Sequence, residues 1–242
     1  MENLFWGVSE VSRTNGQMIF DTPVMFVSVD MFVRCVKIHF TAFLGTISVV
    51  GIRQFNEDQT LDLAMEVFWR QGFGATSMPQ LAEATGVLRG SLYNAYGDKQ
   101  ALFLEVFARY QTRFLEAARQ ALGEPDLAQA LKAFFAYTIA SMTQGTPPRG
   151  CLTTKTAIDE TANSEPIRQA LRDLLDSLEA LLIERFASAE AEQTLAMEAT
   201  AAARLVITLT RGIVVIERLY QDPQRLQDIA DSLVDILLSP RV

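Results

Sequence analysis

The sequence holds a single histidine, His39, and two cysteines, Cys35 and Cys151, in 242 residues. One histidine excludes a multi-histidine metal site and most imidazole catalysis. Two cysteines make no disulfide framework and suit a reducing compartment, so a cytoplasmic location is expected. The nearest carboxylate pairs, Asp159 with Glu160 and Glu190 with Glu192, have no histidine, metal-ligand spacing or glycine-rich phosphate loop beside them. No enzyme activity, cofactor or metal is therefore expected. A positive excess is lacking too: 21 Lys and Arg face 29 Asp and Glu, a net charge of −8. That balance argues at first against nucleic acid, because phosphate binding draws on Lys and Arg. Local counting qualifies it. Residues 85–104 carry Arg89 and Lys99 against Asp98, while residues 106–242 carry 14 basic and 18 acidic residues. The result is an acidic body with a weakly basic segment. There is no internal repeat and no low-complexity tract.

Residues 1–49 lack a clean period of either kind. They are rich in Phe, Val and Ile, yet Glu2 and Glu10 precede Arg13, which does not suit a signal peptide. Asp21, Asp30, Arg34 and Lys37 interrupt the apolar stretch. Ile38 to Ile52 is then too short for the ~20 residues that a membrane span needs. Two readings stand: an extension that packs elsewhere or touches a membrane, or an over-called reading frame with the true start near Val50. The second is preferred, and no membrane partner is expected.

The informative stretch is Phe73 to Lys99, FGATSMPQLAEATGVLRGSLYNAYGDK. Ser77 with Gln80 three residues on is a capping-box pattern, and Pro79 falls in the first turn, where a missing N–H costs nothing. Gly86 stands four residues after Ala82, where a helix must stop and reverse. Val87 and Leu92 anchor a second short helix. The spacing predicts a helix-turn-helix.

TSMPQLAEATGVLRGSLYNAYGDKQALF resembles the DNA-binding segment of the tetracycline-repressor (TetR/AcrR) family of bacterial regulators. The likeness includes Leu92, Tyr93 and Tyr96 followed by Gly97, Asp98 and Lys99. It extends more weakly over residues 50–242 and does not cover residues 1–49. It implies an all-α protein in three parts: an atypical extension over 1–49, a helix-turn-helix domain over 50–104, and a helical ligand-binding and dimerisation domain over 105–242.

The remaining helices follow from caps and periodicity. Asn56 starts the first, with Leu61, Ala64, Met65 and Phe68 inward. Asp98 starts a long fourth helix that ends before Gly123, and Asp126 starts a fifth. A loop from Gln144 to Gly150 leads to a short sixth helix from about Cys151 to Ala162. Asn163 or Ser164 opens a seventh. An eighth, from about Gln193 to Tyr220, is apolar on most sides apart from Arg204 and Arg211, and therefore buried on most sides. Asp222 and Pro223 open a ninth.

A helix-turn-helix lays its second helix in the major groove. That places Arg89, Gly90, Ser91, Tyr93 and Asn94 near DNA, with Thr76 and Ser77 at a helix N-terminus that suits a phosphate. The resemblance implies that Tyr93 reaches a phosphate, Tyr96 packs in the small core, and Lys99 meets the DNA backbone. Leu88 departs from the Ser or Thr that the family often has at the start of the reading helix.

Aromatic and hydroxyl side chains on the fourth to seventh helices suit a pocket for a small apolar or amphipathic molecule. The candidates are Phe107, Tyr110, Phe114 and Phe134, with Tyr137 near them, then Thr138, Met142, Cys151, Thr154 and Ile158; ordinary core packing explains each of them equally well. Cys151 reads as a small buried residue or as a thiol sensor with Lys155 one turn on. For a homodimer the candidate contacts are Ala202, Leu205, Leu209, Gly212 and Ile213 on the eighth helix, with Ile229 and Leu233 on the ninth. The expected partners are a double-stranded DNA operator, a second copy of the chain and an unidentified small-molecule effector. The expected function is a ligand-responsive transcriptional repressor; the alternative is the same fold used as an adaptor without a small-molecule switch.

Overall fold

The computed structural model describes residues 55–145, 148–188 and 194–239, together with a two-residue antiparallel pair, β1 (Arg13–Thr14) and β2 (Gln17–Met18). The chain divides into two units, Met1–Ile52 and Arg53–Val242. Both readings of residues 1–49, like Cys35 and His39, fall outside the described residues.

The second unit is all-helical among its described residues. Its helices are α1 (Glu57–Gln71), α2 (Met78–Thr85), α3 (Arg89–Tyr96), α4 (Lys99–Leu122), α5 (Leu127–Thr143) and α6 (Leu152–Ala157). A 3-10 turn (Glu160–Ala162) follows, then α7 (Glu165–Phe186), α8 (Ala199–Tyr220) and α9 (Pro223–Leu238). Local chemistry sets most of the boundaries. Asn56, Asp98 and Asp126 each accept a backbone N–H with their side chains, and the Ser77–Gln80 capping box is complete in both directions. Gly86 ends α2 at φ 67°, the left-handed conformation that glycine adopts without strain.

Two expected boundaries move. The eighth helix starts at Ala199 rather than near Gln193, because Glu198 accepts from the amides of Thr200 and Ala201. The sixth is not continuous to Ala162. It stops at Ala157, and Asp159 caps the separate 3-10 turn through the Thr161 amide.

α1, α2 and α3 form a small reading head. α4 leaves it and packs against α5 and α7; α8 lies on α7, and α9 lies on α5. One aromatic ladder joins the two parts. Phe68 meets Phe103 edge-on at 5.1 Å, and along α4 the rings of Phe103, Phe107, Tyr110 and Phe114 follow at 5.7, 5.6 and 6.0 Å. Each such pair contributes about 0.5–1.5 kcal/mol beyond its burial. α4 therefore crosses the 104/105 boundary expected from sequence as one stiff rod. α8 is long and apolar enough to span a membrane by composition, a test that the core helix of a folded domain passes equally.

Candidate nucleic-acid interface and control site

The exposed face of α3 carries Leu88 at its start, then Arg89, Gly90, Tyr93 and Asn94, while Leu92 and Tyr96 point into the head. Ser91 is half-buried at the edge of this face. The Arg89 guanidinium lies 5.4 Å from the Tyr93 ring centroid, and its Nη2 is 3.5 Å from the Tyr93 hydroxyl. Arginine and phenol thus stand as one preformed donor pair. A Cβ added at Gly90 would meet nothing within 4 Å. No described neighbour requires a glycine there, although glycine within a helix costs about 0.5–1 kcal/mol relative to alanine. Leu88 leaves the α3 N-terminus without a side-chain cap, a loss of about 1 kcal/mol against Ser, Thr, Asn or Asp.

Three head residues sit differently from expectation. Thr76 is buried at 2% exposure, and its hydroxyl donates to the Gly72 carbonyl at 2.6 Å. That hydroxyl ties the loop, and its proton is not free for a phosphate. Ser77 is exposed, but its hydroxyl already serves the capping box with Gln80. The Lys99 amine donates to the carbonyls of Phe73 and Thr76, each at 2.9 Å, and lies 4.2 Å from the Phe73 ring centroid. It fastens the start of α4 to the loop before α2, leaving one amine proton for an outside acceptor.

Below the head, a clamp built around α6 grips the end of α1. The Lys155 amine donates to the carbonyls of Trp69, Arg70 and Arg149. The first two belong to the last turn of α1, where a cation complements the helix dipole. The Trp69 indole donates to the Gly150 carbonyl at 2.7 Å. Just after α6, the Asp159 carboxylate accepts the Gly74 amide at 2.6 Å and the Thr161 hydroxyl at 2.6 Å. Burial pushes this carboxyl up, but the hydrogen bonds from Thr161 and Gly74 prevail and hold it below its ordinary 3.8. Higher on α4, Arg109 bridges Asp62 at 2.6 Å and Asp58 at 2.7 Å, and Arg113 joins Asp62 at 2.8 Å. These arginines lower the Asp62 pKa, the Arg109 hydrogen bond foremost.

A cavity of about 250 Å³ opens beside this clamp. Met65, Glu66 and Trp69 of α1 form one wall; Tyr110, Arg113 and Phe114 of α4 and Tyr137 of α5 form the others. Arg149 closes an edge. Its guanidinium lies 3.8 Å from the Trp69 ring centroid, pairs with Glu66 at 3.3 Å and donates to the Ser141 carbonyl. Of the pocket residues expected from sequence, Tyr110, Phe114 and Tyr137 border this space. Phe107, Phe134, Thr138 and Met142 are packed into the core instead, and the Thr138 hydroxyl is taken by the Phe134 carbonyl. Ile158 is 77% exposed at the end of α6 and does not border this cavity. Among the described residues, no group of His, Cys, Asp and Glu is arranged to hold a metal.

Cys151 is buried just before α6; it does not line the cavity, though it interacts with Tyr110 of the wall. Lys155 feels the Cys151 charge, but its amine donates to the carbonyls of Trp69, Arg70 and Arg149 and not to the thiol. Arg211 of α8 turns inward and places Nη1 3.3 Å from the thiol sulfur. Burial pushes the thiol up; Arg211, with the amide and hydroxyl of Thr154, outweighs it and leaves the pKa below its ordinary 9.0. Arg204, the other arginine of α8, reaches Glu179 of α7 at 3.0 Å.

The dimer candidates divide by burial. Ala202 and Ile213 are fully buried within the chain's own core and offer no surface. Leu205 and Gly212 are exposed, and Leu209, Ile229 and Leu233 are half-buried. Val215 and Leu219 on α8 and Ile236 on α9, not singled out from sequence, are exposed at 55%, 71% and 59%.

Two family models match the chain: bacterial regulatory proteins of the tetR family over residues 61–106, and the tetracyclin repressor-like C-terminal domain over residues 128–233. Together they span well over half of it. The HTH-type transcriptional repressor ComR of Escherichia coli is 37% identical over 99 residues, which cover 40% of this chain and about half (47%) of that repressor. The uncharacterised HTH-type regulator YezE of Bacillus subtilis is 25% identical over 76% of this chain and 97% of its own. Among solved structures, a cysteine mutant of the TetR family regulator CifR, complexed with 26-bp operator DNA, superposes with TM-score 0.68. It is 29% identical over 76% of this chain and 98% of that one.

Proposed function

Because the chain belongs to the tetracycline-repressor family of transcriptional regulators, we propose that it is a cytoplasmic homodimeric repressor, released from its operator by a small amphipathic effector in the cavity between α1, α4 and α5. The observation that carries the effector is the ownership of the walls. One wall belongs to the reading head and the others to the body, so an occupant touches both parts at once. Rings on the walls and the cations of Arg113 and Arg149 near the rim suit a compact molecule with one aromatic or aliphatic body and one anionic group. An effector that binds one head posture better than the other shifts operator affinity by their difference, typically about 1–3 kcal/mol.

One short reading helix covers few base pairs, so two heads held about 34–36 Å apart supply the remaining specificity. The exposed Leu205, Val215, Leu219 and Ile236 are the surface that supports pairing of α8 and α9 with a second copy. Arg89, Tyr93 and Asn94 are the side chains best placed to meet DNA, with Gly90 permitting close approach.

A second effector reading rests on Cys151. Its thiol has a depressed pKa beside Arg211 and lies at the start of the helix that clamps the head. Addition of the thiolate across the activated double bond of an electrophile, the thiol proton passing to solvent and the adjacent carbon taking one up, would push on α6.

Selection from a random DNA pool by the purified protein tests the core of the proposal. A twofold-symmetric site should emerge; no enriched sequence would refute operator reading. On that site, a panel of single-ring carboxylates should contain releasers that no longer act on Ala140→Phe, a variant whose ring fills the cavity from the α5 wall that Ala140 lines. Release that survives in Ala140→Phe would refute the cavity, and the absence of any releaser alongside loss of response to N-ethylmaleimide in Cys151→Ser would favour the thiol. A protein that binds its site but answers neither is an adaptor.

A further inference from the structure

We infer that Leu88 is a specificity-determining residue that reads a thymine methyl group in each operator half-site; the inference rests on the DNA reading proposed above. Leu88 is 80% exposed, the largest value among the exposed large hydrophobic residues described. It occupies the cap position of α3, with φ −56° and ψ 137°; its carbonyl accepts the Leu92 amide, but its side chain makes no cap hydrogen bond. Its side chain therefore serves neither the core nor the helix end.

Its neighbours set what it can meet. Arg89 follows directly and is held against Tyr93, so the cation beside Leu88 stands ready for a phosphate or a guanine edge. Gly90 two residues on leaves the backbone open for close approach. In a helix-turn-helix the N-terminal residues of the second helix contact base edges. The major groove presents mostly donors and acceptors, and thymine adds an apolar group, the 5-methyl. A branched aliphatic side chain at this position matches that group and satisfies none of the others.

The test uses the full chain and the operator selected from a random pool. Each thymine of a half-site is replaced, one at a time, by deoxyuridine, which removes only the methyl. Affinity is measured by fluorescence anisotropy at one fixed salt concentration. For one thymine per half-site, wild type should lose about fourfold, the worth of burying one methyl-sized group at ~0.8 kcal/mol. Leu88→Ala should lose less than twofold from the same replacement. Leu88→Ser, which restores a cap, should melt no lower than wild type and show the same indifference to the methyl; this separates reading from helix stability. The inference is overturned if deoxyuridine costs wild type and both variants alike, or if no thymine in the half-site is sensitive. Failure to enrich any operator overturns the DNA reading itself, a result distinct from an operator whose thymines Leu88 ignores.

Discussion

Substitution of Gly74 by alanine isolates the clamp between α6 and the reading head. Gly74 is exposed in the loop between α1 and α2 and is not among the positive-φ glycines, so its backbone accommodates any residue. A Cβ added there would nevertheless lie 2.9 Å from both carboxylate oxygens of Asp159 and closer still to the Thr161 hydroxyl. Something must move. The carboxylate is the far end of a side chain, so the contact opens rather than the loop deforming, and the Gly74–Asp159 hydrogen bond is lost. A hydrogen bond to a charged group is worth about 1.5–3 kcal/mol, and partial exposure of Asp159 argues for the lower half of that range. The gain of about 0.4–1 kcal/mol that alanine brings by restricting the unfolded chain offsets part of this, so at roughly 2–4 °C per kcal/mol for a domain of this size the melting temperature should fall by about 1–7 °C.

The control is the same substitution in an Asp159→Ala, Thr161→Ala background. Without the crowding partners, alanine has room, and its restricted unfolded state should stabilise the protein by about 0.4–1 kcal/mol. The sign therefore reverses between the two backgrounds. Urea melts of the four proteins measure the coupling, and anisotropy on the selected operator should show weakened binding for Gly74→Ala and for the Asp159→Ala, Thr161→Ala background, each of which breaks the Gly74–Asp159 hydrogen bond, with no further loss when the two are combined. Equal destabilisation in both backgrounds, or a higher melting temperature in the otherwise native chain, would refute the clamp.

Gly90→Ala should act in opposite directions on the two readouts: stability rises by about 0.5–1 kcal/mol because a helical glycine is removed into open space, while operator affinity falls, and unchanged affinity would deny close approach. Asp62 and Asp159 both have folded pKa values below their ordinary 3.8. Their contribution is thus fully present above that pH and is lost as pH falls through the lower folded values; Asp62→Asn should flatten the acid limb of a stability–pH curve below pH ~4. Val215 and Leu219 are exposed on the single chain; in the proposed dimer, Val215→Asp with Leu219→Asp places unpaired charges in the apolar contact between copies, so light scattering should show a monomer and operator binding should be abolished at micromolar protein.

What the sequence disclosed was local. The Ser77–Gln80 box, the reversal at Gly86 and the Asp98 and Asp126 caps all lie within four residues of their partners, and each forms as spacing dictates. What it concealed was long-range. Lys99 reaches Phe73 and Thr76, Asp159 reaches Gly74, and Arg211 reaches Cys151 across sixty positions. Charge spacing along a chain does not reveal such destinations. Nothing in the sequence points Arg211 toward Cys151, because a helix apolar on most sides gives no phase; for the same reason Ala202 and Ile213 could not be told from Val215 and Leu219. Glu198 is an uncommon cap, which hid the start of α8.

The bridge from Arg109 to Asp58 and Asp62 has a practical consequence for titrating this protein against salt. The slope of log affinity on log salt is ordinarily taken as a count of displaced counterions, and so of phosphates neutralised. Here the same ions also weaken partly exposed pairs that tie α1 of the head to α4 of the body. Raising salt would therefore loosen the posture of the head as well as screen the duplex. A slope measured on the intact chain would overstate the number of phosphates touched, and the excess should disappear when Asp58 and Asp62 are made neutral.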